Sequence, residues 1–225
     1  MIGMHKVDST LQPLILIGGG GHCKSVIEAA ESSGQWKIAG ILDTADKVGT
    51  TVLGYPVIGT DNDIPALAAA QPDTRFIITV GHIKTAEIRR RIAARVMDAN
   101  GEFATIVAST AHVSRHALLG AGTVVLHGAM VNAGATIGEG CIINTLANIE
   151  HDATVGDYCH ISTGAMVNGD CRIAPGVFLG SQSVLLNGIS ISAPDSIIAA
   201  GSFVRKTLKE PGIYAGNPAI LMKRL

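Results

Sequence analysis

Aromatic residues make up only 4% of the 225-residue chain, with a single tryptophan, so a core dominated by stacked rings is excluded. The 27 glycines point instead to a tightly wound, repetitive backbone. Charge is also scarce, 16% of residues with a net charge of −1, and no basic stripe is present to release counterions from phosphates. Nucleic acid is therefore not an expected partner. The N-terminus has no charged segment followed by an apolar core and a cleavage site, so the cytoplasm is the expected compartment. None of the four cysteines, Cys23, Cys141, Cys159 and Cys171, forms a C-x-x-C pair. Neither a disulfide nor a zinc site is expected in a reducing compartment, and no other metal is called for. The stretch from His116 to Gly138 lacks Asp, Glu, Lys and Arg for 23 residues, long enough for a membrane span. Its glycines and six-residue rhythm argue against one.

Two rhythms divide the chain. Over residues 13–105 apolar strands alternate with helical segments: "PLILIGG", then "HCKSVIEAAESSG" closed by Gly34, "WKIAGILD", "DNDIPALAAA" and "RFIITVG". The last helix, "TAEIRRRIAARVMDANG", carries Ile88, Ile92 and Val96 on its expected apolar face. Such alternation implies a small Rossmann-like parallel α/β domain, assigned to residues 1–105. From Val107 every sixth residue is aliphatic through Ile197, sixteen positions in all. Four residues after each comes Ala, Cys, Ser, Thr or Gly in all but three cases, Val177, Ile189 and Asp195. This period marks a parallel β-helix, assigned to residues 106–204, whose repeats bury their apolar residues only by stacking on one another. Cys141, Cys159 and Cys171 fall at the small position and read as corner fillers. Residues 205–225 are the most basic part of the chain and read as a loop followed by a short helix or tail.

The stretch "LILIGGGGHCKS" nearly spells two phosphate-binding loops. Cys23 replaces the last glycine of a Walker A loop, and no metal-binding acid on a later strand completes that motif. A dinucleotide loop fits better, because Asp43 lies at about the ribose-binding distance beyond Gly18 and Gly20. Yet no hydride chemistry is visible.

The segments "LIGGGGH", "GILD", "GYPVIGTDND", "NTLANIEHDATVGDYCHISTGAMVNG" and "YAGNPA" resemble the bacterial nucleotide-sugar N-acetyltransferases of the UDP-N-acetylbacillosamine and GDP-perosamine type, with sialic-acid O-acetyltransferases as close relatives. The resemblance implies a left-handed coil and a homotrimer with active sites between prisms. It also implies acetyl-CoA as co-substrate and a nucleotide-linked 4-amino-4,6-dideoxy sugar as acceptor, with a UDP link favoured. His151 matches the family's general base, as acetyl transfer to an amine requires. Asp152 matches its orienting acid, although Glu is common there, and Asn144 matches a hydrogen-bonding positioner. His160, Gly169 and Gly180 match positions that line the acetyl-CoA groove, and Gly216 and Pro218 the loop that closes on it. Gly18, Gly20, Gly21, His22 and Asp43 match the nucleotide-sugar loop, where a helix N-terminus favours a diphosphate. No covalent nucleophile is evident, so direct attack on the thioester is expected. The Gly169 N–H, one coil beyond His151, is a candidate oxyanion donor. Two other readings stay open: O-acetylation of a sialic acid, and a non-catalytic or metal-binding β-helix. For the latter, His127, His151 and His160 would have to converge, although His127 sits on a different flank.

Overall fold

The computed structural model describes residues 11–225, so His5 and the start of the expected first domain lie outside them. The first domain is a six-stranded sheet of β1 (Gln12–Ile17), β2 (Trp36–Leu42), β3 (Thr51–Val52), β4 (Tyr55–Gly59), β5 (Arg75–Ile78) and β6 (Glu102–Phe103), in the order β3-β4-β2-β1-β5-β6. All neighbours run parallel except the β3–β4 hairpin. Central β1 is buried over Leu14–Ile17 because helices cover both faces of the sheet. Helix α1 (Gly21–Ser33) turns Cys23, Val26, Ile27 and Ala30 inward and ends at Gly34, whose φ of 65° suits a left-handed cap. Helices α2 (Ile64–Ala70) and α3 (Glu87–Asp98) pack Ile64, Ile92, Ala93 and Val96 on the other face.

One expectation for α3 fails. Ile88 is half exposed, whereas Arg89 is buried at 1% exposure. The true inward row is Arg89, Ile92 and Val96, spaced three and four, and an arginine occupies a core phase.

The second domain is a three-faced prism of two-residue parallel strands. The first face stacks Ile106–Val107, Val124–Val125, Ile142–Ile143, His160–Ile161, Phe178–Leu179 and Ile197–Ile198. The second runs from His112–Val113 to Phe203–Val204, and the third from Leu118–Leu119 to Ser190–Ile191. The second residue of each strand points into one continuous core. Outward residues of the first face, Ile106, Val124 and Ile142, instead join the core beneath α1, which welds the domains together.

The six-residue count slips at its end. Leu179 pairs with Ile198, not Ile197, because the turn Ser192–Pro194 holds one extra residue. Ser196 then fills the small buried position, and Asp195 swings out to meet Arg90 at 2.8 Å. The cysteines do fill corners: the thiols of Cys141, Cys159 and Cys171 donate to the carbonyls of Gly156, Ala174 and Leu186 at 3.1–3.2 Å. A second correction concerns the C-terminus, which is not helical. Gly212–Ala215 continues the first face and Ile220–Arg224 folds back on it antiparallel, because the last coil leaves a strand edge that Gly212–Ala215 completes.

Candidate active site

At the carboxyl end of the parallel sheet the loops after β1, β2, β4 and β5 surround a cleft of about 500 Å³. Gly18, Asp43, Thr60, Asn62, Arg91 and Arg95 contribute to its walls. A cleft at this end of an open α/β sheet, of this size, suits a nucleotide. Gly18 has a φ of 110°, and a side chain there would strike Val80. The Gly19 amide donates to Asp43 Oδ2 at 2.7 Å, the Thr44 amide donates to Oδ1 at 2.7 Å, and Lys47 Nζ lies 3.0 Å from Oδ2. Partial burial works against the ionised Asp43, but these three donors outweigh it and lower its pKa. A side chain on Gly20 or Gly21 would meet nothing within 4 Å, so that flank is open. These two glycines and His22 lie outside the cleft's lining.

His22 sits instead at the seam between the domains. Its ring centroid is 6.4 Å from that of His160, and His160 is 5.6 Å from His82. Burial, reinforced by the Arg89 charge, pushes His22 and His82 down to about 3. Burial likewise takes His160 down to about 4, although its bond to the His82 carbonyl opposes the shift. All three are neutral at physiological pH. Arg89 lies beneath them and donates to the carbonyls of Ile78 and Val80, at the end of β5, and of Gly140 in the prism. His82 and Arg89 were not among the expected site residues. The three-and-four spacing of Arg89 to Ile92 and Val96 was the signal available for the arginine; nothing comparable marks His82.

The expected catalytic residues divide between two corners of the prism. At the corner between the second and third faces, exposed His151 places Nδ1 2.9 Å from Asp152 Oδ2. That hydrogen bond raises the His151 pKa, aided by the charges of Asp152, Glu150 and Asp170. Asp152 has a φ of 60°, a left-handed conformation that short polar side chains tolerate. The ring lies over Gly169: a β-carbon there would be 2.7 Å from both Cε1 and Nε2 of His151 and 2.9 Å from Asn187 Oδ1. Glycine therefore makes room for the imidazole.

Asn144 is at the corner between the first and second faces, with His160 rather than His151. Its Nδ2 is 3.1 Å from His160 Nε2, and its Oδ1 accepts from the Thr145 amide at 2.8 Å. Gly180 lies two coils further along this corner, where a side chain would collide with the backbone of Ala199 and Ala200. Gly216 accepts from the Phe203 amide at 3.0 Å and starts the turn of the terminal hairpin, where the Asn217–Pro218 peptide is cis. Among the described residues no three His, Cys, Asp or Glu side chains are close enough to hold a metal ion. No described helix is long and apolar enough to cross a membrane.

Comparison with known proteins covers both domains. Residues 13–96 match the PglD N-terminal domain family, and residues 134–169 match the bacterial transferase hexapeptide (six repeats) family. A variant of perosamine N-acetyltransferase from Caulobacter crescentus, solved with CoA and GDP-perosamine, is 31% identical with a TM-score of 0.85, covering 93% of this chain and 96% of that one. The acetyltransferase domain of PglB from Neisseria gonorrhoeae FA1090, solved with acetyl coenzyme A, is 30% identical with a TM-score of 0.85, over 94% of this chain and 100% of that one. UDP-N-acetylbacillosamine N-acetyltransferase of Bacillus subtilis (strain 168) is 32% identical over 117 residues, so the match spans about half, 52%, of either chain. Because the likeness to the solved structures runs through the nucleotide-sized domain and the prism alike, the chain belongs to the hexapeptide-repeat nucleotide-sugar N-acetyltransferase family.

Proposed function

We propose that the protein transfers the acetyl group of acetyl-CoA to the amine of a nucleoside-diphosphate-linked 4-amino-4,6-dideoxy sugar. The observation that carries this reading is the exposed His151–Asp152 pair, seated over a glycine in a prism attached to a nucleotide-sized cleft. In it, the neutral imidazole takes a proton from the sugar amine as nitrogen attacks the thioester carbon. Collapse of the tetrahedral intermediate breaks the C–S bond, and the CoA thiolate receives the proton. Asp152 holds the Nδ1–H, which leaves Nε2 as the base. Asp43 shapes the Gly18–Gly19 turn, and the N-terminus of α1, which has no acidic residue in its first turn, favours the diphosphate.

Within one chain His151 and the His22–His160 seam occupy different parts of the prism. A homotrimer resolves this by setting the His151 corner of one protomer against the Asn144 and Gly180 corner of the next. In support, the outward residues of the second face include Met130, Met166, Val184 and Phe203 beside His112 and Asn148, whereas the third face, after Leu118 in its first coil, offers Thr136, Thr154, Arg172 and Ser190. An apolar strip of this kind is suited to burial against another copy.

Thiol release from acetyl-CoA in the presence of UDP- and GDP-linked 4-amino sugars tests the proposal. Release with either acceptor, with the acetyl group recovered on nitrogen, supports it, and the acceptor that is used assigns the nucleobase. Release with a sialic acid alone would transfer the assignment to O-acetylation. Stoichiometric zinc in the purified protein, without transfer, would favour a metal-binding prism instead.

A further inference from the structure

The seam between the domains contains a hydrogen-bond chain whose polarity is fixed at both ends. A carbonyl can only accept, so the 2.8 Å contact between His160 Nδ1 and the His82 carbonyl places a proton on Nδ1. A neutral imidazole with Nδ1–H has a lone pair on Nε2, and that atom must then accept from Asn144 Nδ2 at 3.1 Å. At the other end the Thr145 N–H requires an acceptor, which Asn144 Oδ1 supplies at 2.8 Å. Turning the Asn144 amide over would oppose two lone pairs at one end and two N–H groups at the other. Both ends therefore select one orientation. One Nδ2 hydrogen of Asn144 is used on His160, and the second makes no hydrogen bond among the described residues.

We infer that His160 is a positioning residue, locked as the Nδ1–H tautomer by the first domain, and that it aims the free N–H of Asn144 at the acyl oxygen of the thioester as a second oxyanion donor. The inference rests on the acetyl-transfer reading. Asn144 shares its corner column with Ser162 and Gly180, and the family resemblance implies that Gly180 lines the acetyl-CoA groove. The donor has its effect when the carbonyl becomes tetrahedral and its oxygen takes up the negative charge, before the C–S bond breaks and the charge returns to sulfur. The lock requires an uncharged ring. Its surroundings meet that need: His22 on α1, His82 after β5 and the Arg89 cation on α3 all approach it, Phe178 of the next coil packs edge-on at 5.1 Å, and no carboxylate contributes to its titration. Because the accepting carbonyl belongs to the loop that follows β5, the nucleotide domain sets the direction of a donor in the prism.

Two measurements test this. In the wild-type protein labelled with ¹⁵N-histidine, His160 should show the neutral Nδ1–H signature unchanged from pH 8 to pH 5. An Nε2–H tautomer, or titration near the ordinary histidine pKa of about 6.5, would overturn the lock. For activity, His160→Gln retains an acceptor near the Nε2 position, whereas His160→Phe retains the ring and removes it. Loss of an oxyanion donor costs about 10²–10³ in kcat, so the Phe variant and Asn144→Ala should each fall by that factor with KM for acetyl-CoA unchanged. The Gln variant should stay within about tenfold of wild type on the same scale. Equal activity of the Gln and Phe variants, at matched thermal stability, would overturn the positioning role. An elevated sugar KM with unchanged kcat in Asn144→Ala would overturn the donor role. A wild-type protein that acetylates no amino sugar would instead overturn the function reading, and the donor role with it, whatever the tautomer.

Discussion

Replacing Gly169 with alanine should abolish most activity while leaving the fold intact. The new methyl carbon would stand 2.7 Å from Cε1 and Nε2 of His151 and 2.9 Å from Asn187 Oδ1. Carbon atoms rest at about 3.5–4.0 Å, so the ring must retreat by about 1 Å. His151 is exposed, with its side chain 63% accessible, and can make that movement at small cost. Gly169 is not in the left-handed region, so alanine adds no backbone strain. Stability should therefore change by less than about 1 kcal/mol, and lower unfolded-state entropy could even raise it. Moving a general base by about 1 Å costs about 10²-fold in rate. Steady-state thiol release with saturating acetyl-CoA and a nucleotide amino sugar, alongside thermal melting, reads both quantities. The same change at Gly180, which abuts the backbone of Ala199 and Ala200, should do the opposite and lower the melting temperature. If Gly169→Ala kept kcat within threefold of wild type, the His151 position seen here would not be the one used in catalysis.

Three further outcomes are expected. Asp152→Asn replaces the carboxylate that accepts the His151 Nδ1–H and raises its pKa with a neutral amide, so the acid limb of the pH–rate profile should move to lower pH; an unmoved limb would mean that another group is titrating. His22, His82 and His160 are buried neutral with folded values of about 3, 3 and 4, below the ordinary 6.5, so the unfolded chain binds the extra protons. Stability should thus decline as pH falls from about 7 toward 4, by up to about 1.4 kcal/mol per pH unit for each histidine, and urea titrations at pH 7, 6 and 5 that superimpose would refute their burial. Arg89→Met strands the carbonyls of Ile78, Val80 and Gly140, and each buried unpaired group costs about 1–3 kcal/mol, so the unfolding free energy read by urea titration should drop by several kcal/mol, with Arg89→Lys intermediate.

The six-residue period made the prism legible because each coil repeats one demand: an aliphatic side chain inward and a small one at the corner. Local pattern and tertiary outcome coincide there, and His151 could be placed on an outer flank by counting from Ile149. Counting failed only where the Ser192–Pro194 turn added a residue, which a period cannot anticipate. The glycine loop was likewise legible as a strand-to-helix turn, since Gly18 must adopt a positive φ. What Asp43 does there was not, because its Gly19 amide partner depends on β2 ending beside β1. Asn144 and His151 are seven residues apart in one motif, which suggests a single cluster, yet the second face of the prism lies between their two corners. The contacts of His160 with His82, and of Arg89 with Gly140, join residues 78 and 51 positions apart and exist only because the first domain packs on the first face of the prism. The sequence by itself determined the repeat, the loop and the neighbouring His151–Asp152 pair, all of which are local in the chain. Only the tertiary structure decided which histidines are neutral and which way Asn144 points, because burial and hydrogen-bond polarity belong to the seam between domains.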